Sequence, residues 1–357
     1  RAMGQENGWA IVTVTQTKAD PNPFVPYLNS LHNRSAANEN ALAESQARNL
    51  FFCHIHVSHP IAGVIYSILT EEKKKHVVLT GHAGDGKSTI AVEIFRRLAA
   101  LPANQPLSRN LERREDLGSI SLIKDFNEWS PPERSALMNE MLDSEHSRFL
   151  LISNTGTLLD TFKTHEKAMG GNWVGVESLL LDSMNNPTSA SVNFRGAEFV
   201  LFNVAMMDNL MIARSIFERM LAKERWEPCD SAPCRDKCPI FRNVILMQTN
   251  LSLVRDRLFL AYRRMYEYGT RLTLRQLCAH MAYMITSGLE YSDVEKMAER
   301  AKPPLMTEFM FFNRFFGDNG STSDPLAAQL KGIQAVRDQG FGSQPSPTWE
   351  RHLWLRS

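Results

Sequence analysis

The stretch HVVLTGHAGDGKSTIAVEIF (His76 to Phe95) limits what this chain can fold into more than any other feature. A short apolar run leads into a loop carrying Gly81, Gly84 and Gly86, followed by Lys87, Ser88 and Thr89. Beyond the loop, Ile90, Ala91, Ile94, Phe95, Leu98 and Leu101 recur at helical spacing. The order is strand, glycine loop, helix. Gly81, Gly86, Lys87 and Ser88 satisfy G-x-x-x-x-G-K-[ST]. The glycines let successive backbone N–H groups curl around an anion, and the helix N-terminus adds partial positive charge. The loop is therefore expected to cradle the phosphates of a nucleotide through Gly81, Gly84, Asp85, Gly86, Lys87, Ser88 and Thr89. Lys87 would reach the β- and γ-phosphates, and Ser88 would hold Mg²⁺.

The segment GSISLIKDFNEWSPPERSALMNEMLDSEHSRFLLISNTGTLL says which kind of phosphate-loop protein to expect. ISLI is a short apolar strand ending at Lys124-Asp125. A helix with Leu137, Met138, Met141 and Leu142 on one face follows Pro131-Pro132, and a second strand, RFLLIS, ends on Asn154. This resembles AAA+ and related ASCE-type ATPases, in which an acid-ending strand, a helix and a polar-ending strand come in that order. The resemblance implies that Asp125 orients Mg²⁺ and that Asn154 places the attacking water. Those families usually carry glutamate after the aspartate, and here that position is Phe126. Either Glu128 serves as base, or hydrolysis is slow and the protein is a nucleotide-gated switch. A third strand is expected over Glu198–Ala205, with Arg195 just before it where an arginine finger would project. Arg275 is the candidate for a lid arginine at the γ-phosphate.

Two other phosphate-loop classes compete. Gly81, Gly84 and Gly86 also match the G-x-x-G-x-G-K of small-molecule kinases, which do not usually carry this strand order. TKAD (Thr17 to Asp20) resembles a GTPase base-reading motif, but no D-x-x-G follows a strand after the loop. ATP is the expected nucleotide.

With 40 Lys and Arg against 39 Asp and Glu, net charge implies no nucleic-acid or membrane partner, so any such site must be a local patch. No apolar run of membrane-spanning length or signal-peptide layout is present, and a cytoplasmic protein is expected. Cys229, Cys234 and Cys238 form C-x₄-C-x₃-C-P and could hold a structural Zn²⁺ if Cys278, His280 or Cys53 supplied a fourth ligand. His54, His56 and His59 read as surface or packing residues. From Asn250 onward the texture is helical, and Thr273 is a good N-cap for TLRQLCAHMAYMI. Arg255, Arg257, Arg263, Arg264, Arg271 and Arg275, interleaved with Tyr262, Tyr266 and Tyr268, could grip nucleic acid or form a solvated helix face.

VVLTGHAGDGKS, KDFNEWS, FLLISNTGTLLD, CPIFRN, VRDRLFLAYRRMYEYG and RLTLRQLCAHMAYMITSGL together resemble the ATPase component of bacterial phosphorothioation-dependent DNA restriction systems of the Dpt/Dnd type. The likeness spans roughly residues 50 to 290. It implies an ATP-hydrolysing subunit of an anti-phage defence complex, with other subunits, duplex DNA and further copies of itself as partners. The expected architecture is an α/β phosphate-loop core with a three-layer, mostly parallel sheet and a helical lid. An irregular N-terminal segment (1–50) would precede the core (51–224), a Cys-rich loop (225–245) and a helical region (246–357). The last stops within an opening helix and reads as part of a longer protein.

Overall fold

The computed structural model describes residues 20–32, 47–71, 75–300, 304–317 and 324–339. Thr17 to Ala19 of the TKAD segment and the C-terminal TWERHLWLRS lie outside them. Before the sheet come α1 (Phe24–Ser30), α2 (Leu50–Ile55) and α3 (Pro60–Thr70). The sheet comprises β1 (His76–Thr80), β2 (Arg114–Leu117), β3 (Ile120–Ile123), β4 (Arg148–Ile152), β5 (Ala190–Phe194) and β6 (Ala197–Asn203). Their spatial order is β2-β3-β4-β1-β6-β5. The inner four strands run parallel, and β2 and β5 pair antiparallel on the two edges. The α/β expectation with a mostly parallel sheet is met.

Period-two alternation explains why the inner strands are apolar throughout. Val77, Leu79, Leu150, Ile152, Val200 and Phe202 share one face, covered by α3 and α4 (Lys87–Leu98). Val78, Phe149, Leu151, Phe199 and Leu201 share the other. That second face lies under α5 (Pro131–Asp143), α6 (Thr155–Ala168) and α7 (Trp173–Met184). Both faces are buried, as parallel strands require. A capping box, with Ser130 N donating to Glu133 Oε2 at 2.7 Å, starts α5 right after the loop that holds Asp125.

A second core gathers α8 (Leu210–Met220), α9 (Pro239–Thr249), α10 (Leu251–Glu267) and α11 (Leu274–Thr286). Helix α8, which the sequence groups with the sheet, packs here instead, and so do Phe24 of α1 and Ile55 of α2. The Cys-rich segment is not one open loop. It holds helical turns at Glu227–Asp230 and Arg235–Lys237, and Pro239 opens α9 as its sequence suggests. The aromatic stretch after Pro304 is a 3₁₀ turn, Met306–Phe309, and a short helix, Phe311–Arg314, with Phe311, Phe312 and Phe315 in the core. No helix among the described residues is long and apolar enough to cross a membrane.

Helix α4 is tied to the chain ahead of α3 through Glu93. Its carboxylate accepts from Ser58 Oγ, from His59 N at 3.3 Å and from Arg97 Nη2 at 2.6 Å, with His56 Nε2 3.7 Å away. Burial alone would raise its pKa, but the bonds from His56, Ser58 and Arg97 outweigh burial and bring it down from 4.5 to about 2. A folded-state pKa below the unfolded one gives stability above pH 4.5 that is lost as pH falls toward 2. Glu93→Gln is expected to cost about 2 kcal/mol at pH 7, with the difference from wild type closing in acid. Urea titrations at a series of pH values would reveal a constant offset if this account were wrong.

Candidate functional site

Strand β1 is the point from which the chain moves to opposite sides, β4 lying on one flank and β6 on the other. Ligands of open α/β sheets sit outside the carboxyl ends of strands at such a switch point. A cleft of about 210 Å³ lies there. Of the sequence candidates, Gly81, Gly84, Gly86, Lys87, Ser88, Thr89, Asp125, Asn154 and Arg275 line it, although they come from four separate segments. An apolar wall of Phe52, Ile55, Val57, Ile216 and Leu274 closes one side.

The loop needs its glycines. Gly84 and Gly86 have φ of 87° and 94°, and a Cβ on Gly84 would lie 3.0 Å from Thr273 Oγ1. Gly86 is the N-cap of α4 and brings no side chain, so the first turn of a twelve-residue helix faces the cleft without a side-chain cap. Lys87 Nζ donates to Gly81 O at 2.7 Å and to His82 O at 2.8 Å. Burial lowers the Lys87 pKa; Arg275 lowers it further, and Asp85 and Asp125 work against the fall.

Asp125 follows β3 in the left-handed region, with φ 48° and ψ 40°. A non-glycine residue there costs about 1 kcal/mol. Burial raises its pKa above the ordinary Asp value and neighbouring Glu128 adds to this, while Lys124 (3.7 Å) and Lys87 oppose. The left-handed step sends Phe126 downward into the core, 1% exposed, beside Trp129 and among Leu137, Met138 and Leu158. Glu128 is exposed and does not line the cleft, so its expected role as base is not supported; Asn127 lines it instead. Among the described residues, Asp125 is the one carboxylate on the cleft wall. Asn154 both lines the cleft and caps α6, its Oδ1 accepting from Thr157 N at 2.8 Å.

Asp85 corrects another expectation. Its side chain is fully buried and does not line the cleft, ion-paired instead with Arg271 at 2.8 Å. Arg195 is a hairpin-turn residue. It sits with Gly196 at positive φ in the two-residue turn between β5 and β6, at the opposite end of the parallel strands from the glycine loop. There it binds Glu166 at 2.8 Å.

The zinc expectation turns on where the three cysteines lie. Cys229, Cys234 and Cys238 are free thiols, and burial raises all three pKa values, that of Cys238 to about 12. Cys229 Sγ accepts from Asn22 Nδ2 at 3.3 Å. His280 has both ring nitrogens engaged, with Tyr262 OH and Phe315 O, and Cys278 lines the cleft. Among the described residues no group of three or more His, Cys, Asp or Glu side chains could hold a metal. The arginine stripe is largely neutralised: Arg255 pairs with Glu218, Arg263 with Asp208, Arg264 with Glu267 and Arg271 with Asp85. Tyr262 is buried, while Tyr266 and Tyr268 are exposed.

The cleft thus joins two cations, loop amides, hydroxyls, one carboxylate and an apolar wall, a set suited to a polyphosphate attached to a flat ring. A search for relatives found no matching family model and no significant match among curated proteins or solved structures.

Proposed function

We propose that this chain is a phosphate-loop ATPase with an ASCE-type core and a helical lid. The observation that carries the reading is the convergence of Gly81, Gly84, Gly86, Lys87, Ser88, Thr89, Asp125, Asn154 and Arg275 on one cleft at the switch point of the sheet. The position of β4 between β1 and β3 supports it further, because this brings the ends of the acid-bearing and asparagine-bearing strands beside the loop.

In this reading the loop amides and Lys87 grip the phosphates, Arg275 adds charge at the outermost one, and the apolar wall takes adenine. Ser88 and Asp125 offer hard oxygen donors suited to Mg²⁺, which would neutralise charge on the phosphate oxygens. Asn154 positions the attacking water. Loss of the terminal phosphate breaks its bond to the β–γ bridging oxygen as the water oxygen bonds to phosphorus. With Phe126 in the core and Glu128 off the cleft wall, no glutamate is placed to take the water's proton, which passes to solvent, and basal turnover should lie well below roughly 10 per second. The same observation favours a second reading, a nucleotide-gated scaffold with negligible hydrolysis.

The biological setting follows from the sequence resemblance: a cytoplasmic subunit of a DNA restriction or anti-phage complex, responsive to duplex DNA or to partner subunits. The test is ATP and GTP binding and turnover by the whole chain, with Mg²⁺ or EDTA, with and without duplex DNA. Mg²⁺-dependent ATP hydrolysis that rises with DNA is expected. Binding without turnover under any condition would favour the scaffold, and no nucleotide binding would overturn both readings.

A further inference from the structure

We infer that Arg271 is a positioning residue that locks the phosphate loop to the helical unit and thereby sets Arg275 in the cleft. The inference rests on the nucleotide reading of that cleft. Asp85 is fully buried, and its two oxygens serve different partners. Oδ2 accepts from His82 N at 3.1 Å, bracing the loop from within. Oδ1 accepts from Arg271 Nη1 at 2.8 Å and from Asn209 Nδ2 at 3.4 Å. The second arm of the same guanidinium, Nη2, donates to Val204 O at 3.2 Å. One planar fork therefore joins the phosphate loop, the turn after β6 and the segment entering α11.

That segment touches the loop twice more. Arg275 N donates to Gly84 O at 3.1 Å, and Thr273, the N-cap of α11, packs so closely on Gly84 that a Cβ there would meet its hydroxyl. Three contacts within residues 271–275 couple the loop to the start of the helix that carries Arg275 on the cleft wall. A shift of α11 must move the loop, and a change in the loop must move Arg275. Lysine could not substitute for Arg271, since a single ammonium cannot span Asp85 and Val204 as a rigid fork does.

The consequence is selective for charge. Lys87 and the loop amides serve any nucleoside polyphosphate, whereas the value of a second correctly placed cation grows with each added phosphate. Loosening the clamp should therefore weaken the triphosphate more than the diphosphate.

The test measures ATP and ADP dissociation constants by calorimetry for the whole chain, together with thermal unfolding without nucleotide. Arg271→Ala strands the buried Asp85 carboxylate and endangers folding, so the decisive variant is Arg271→Lys, which keeps a cation near Asp85. Arg271→Lys is expected to weaken ATP about tenfold and ADP by less than about threefold. Equal weakening of both nucleotides in step with a fall in thermal stability would mean a purely structural contact, and no change in either would mean no clamp; each overturns the inference. Wild-type protein that binds neither nucleotide would instead overturn the reading of the cleft, before any variant is compared.

Discussion

Lys87→Ala is expected to lower ATP turnover by about 10²- to 10³-fold, the range seen when a single preorganised charge contact to a reacting group is removed. The amine sits between the backbone of the loop, at Gly81 O and His82 O, and the charges of Asp85, Asp125 and Arg275. Burial and Arg275 both disfavour its charged form. A polyphosphate entering the cleft would reverse that balance by bringing several negative charges beside the amine. The amine is therefore worth much more to the bound state than to the empty fold. Its loss removes two hydrogen bonds to loop carbonyls, and the stability cost should stay near 1 kcal/mol. Lys87→Arg should not restore activity, because a planar, longer guanidinium cannot occupy the same point between the two carbonyls. Steady-state turnover with circular dichroism as a folding control decides the matter. Activity within about threefold of wild type would mean that the loop does not carry the chemistry.

What could be read in advance depended on how local the determining physics is. β1, β3, β4 and β6 were legible because both of their faces are buried, which leaves unbroken apolar runs such as HVVLT and RFLLI. β2 was not, since REDL is an edge strand that spends its charged residues on ion pairs, Arg114 to Asp116 and to Glu140. β5 is likewise an edge strand, with alternating burial, and its pairing with β6 makes Arg195 part of a hairpin turn rather than a strand start. The strand, glycine loop and helix order is legible because the glycines, lysine and serine lie within eight residues of chain. Asp85 belongs to the same eight residues, yet its role depends on Arg271, 186 positions away, and no local pattern could reveal that. Arg275 is a candidate through the resemblance to AAA+ lids together with its place at the head of a well-capped helix, and the fold puts that turn against Gly84. The three cysteines show the reverse case: their spacing suggests a metal, yet among the described residues no group of three or more His, Cys, Asp or Glu side chains is arranged to hold one.

The second large effect concerns Phe126, the residue that stands where the ATPases this sequence resembles place a glutamate. Phe126→Glu is expected to destabilise the fold by more than about 4 kcal/mol, because it exchanges a buried ring for a carboxylate with no partner in an apolar pocket. Phe126→Ala should cost about 3–5 kcal/mol and Phe126→Leu about 1 kcal/mol. The ordering matters because it separates two accounts of the Asp125 loop. In one, Phe126 anchors the turn: its ring packs among Leu137, Met138 and Leu158 beneath the sheet, and that packing stabilises the left-handed backbone at Asp125. A glutamate placed at 126 would then be drawn toward the core, away from the cleft, and could not serve as a base without unwinding the turn. Stability and nucleotide turnover should fall together along the series Leu, Ala, Glu. In the other account the 125–128 segment rearranges when nucleotide binds, and position 126 comes to face the cleft. Urea denaturation of the three variants, paired with turnover, distinguishes the two. A Phe126→Glu protein with near wild-type stability and faster hydrolysis would sink the anchor account and identify Phe126 as the reason the wild-type chain turns over slowly.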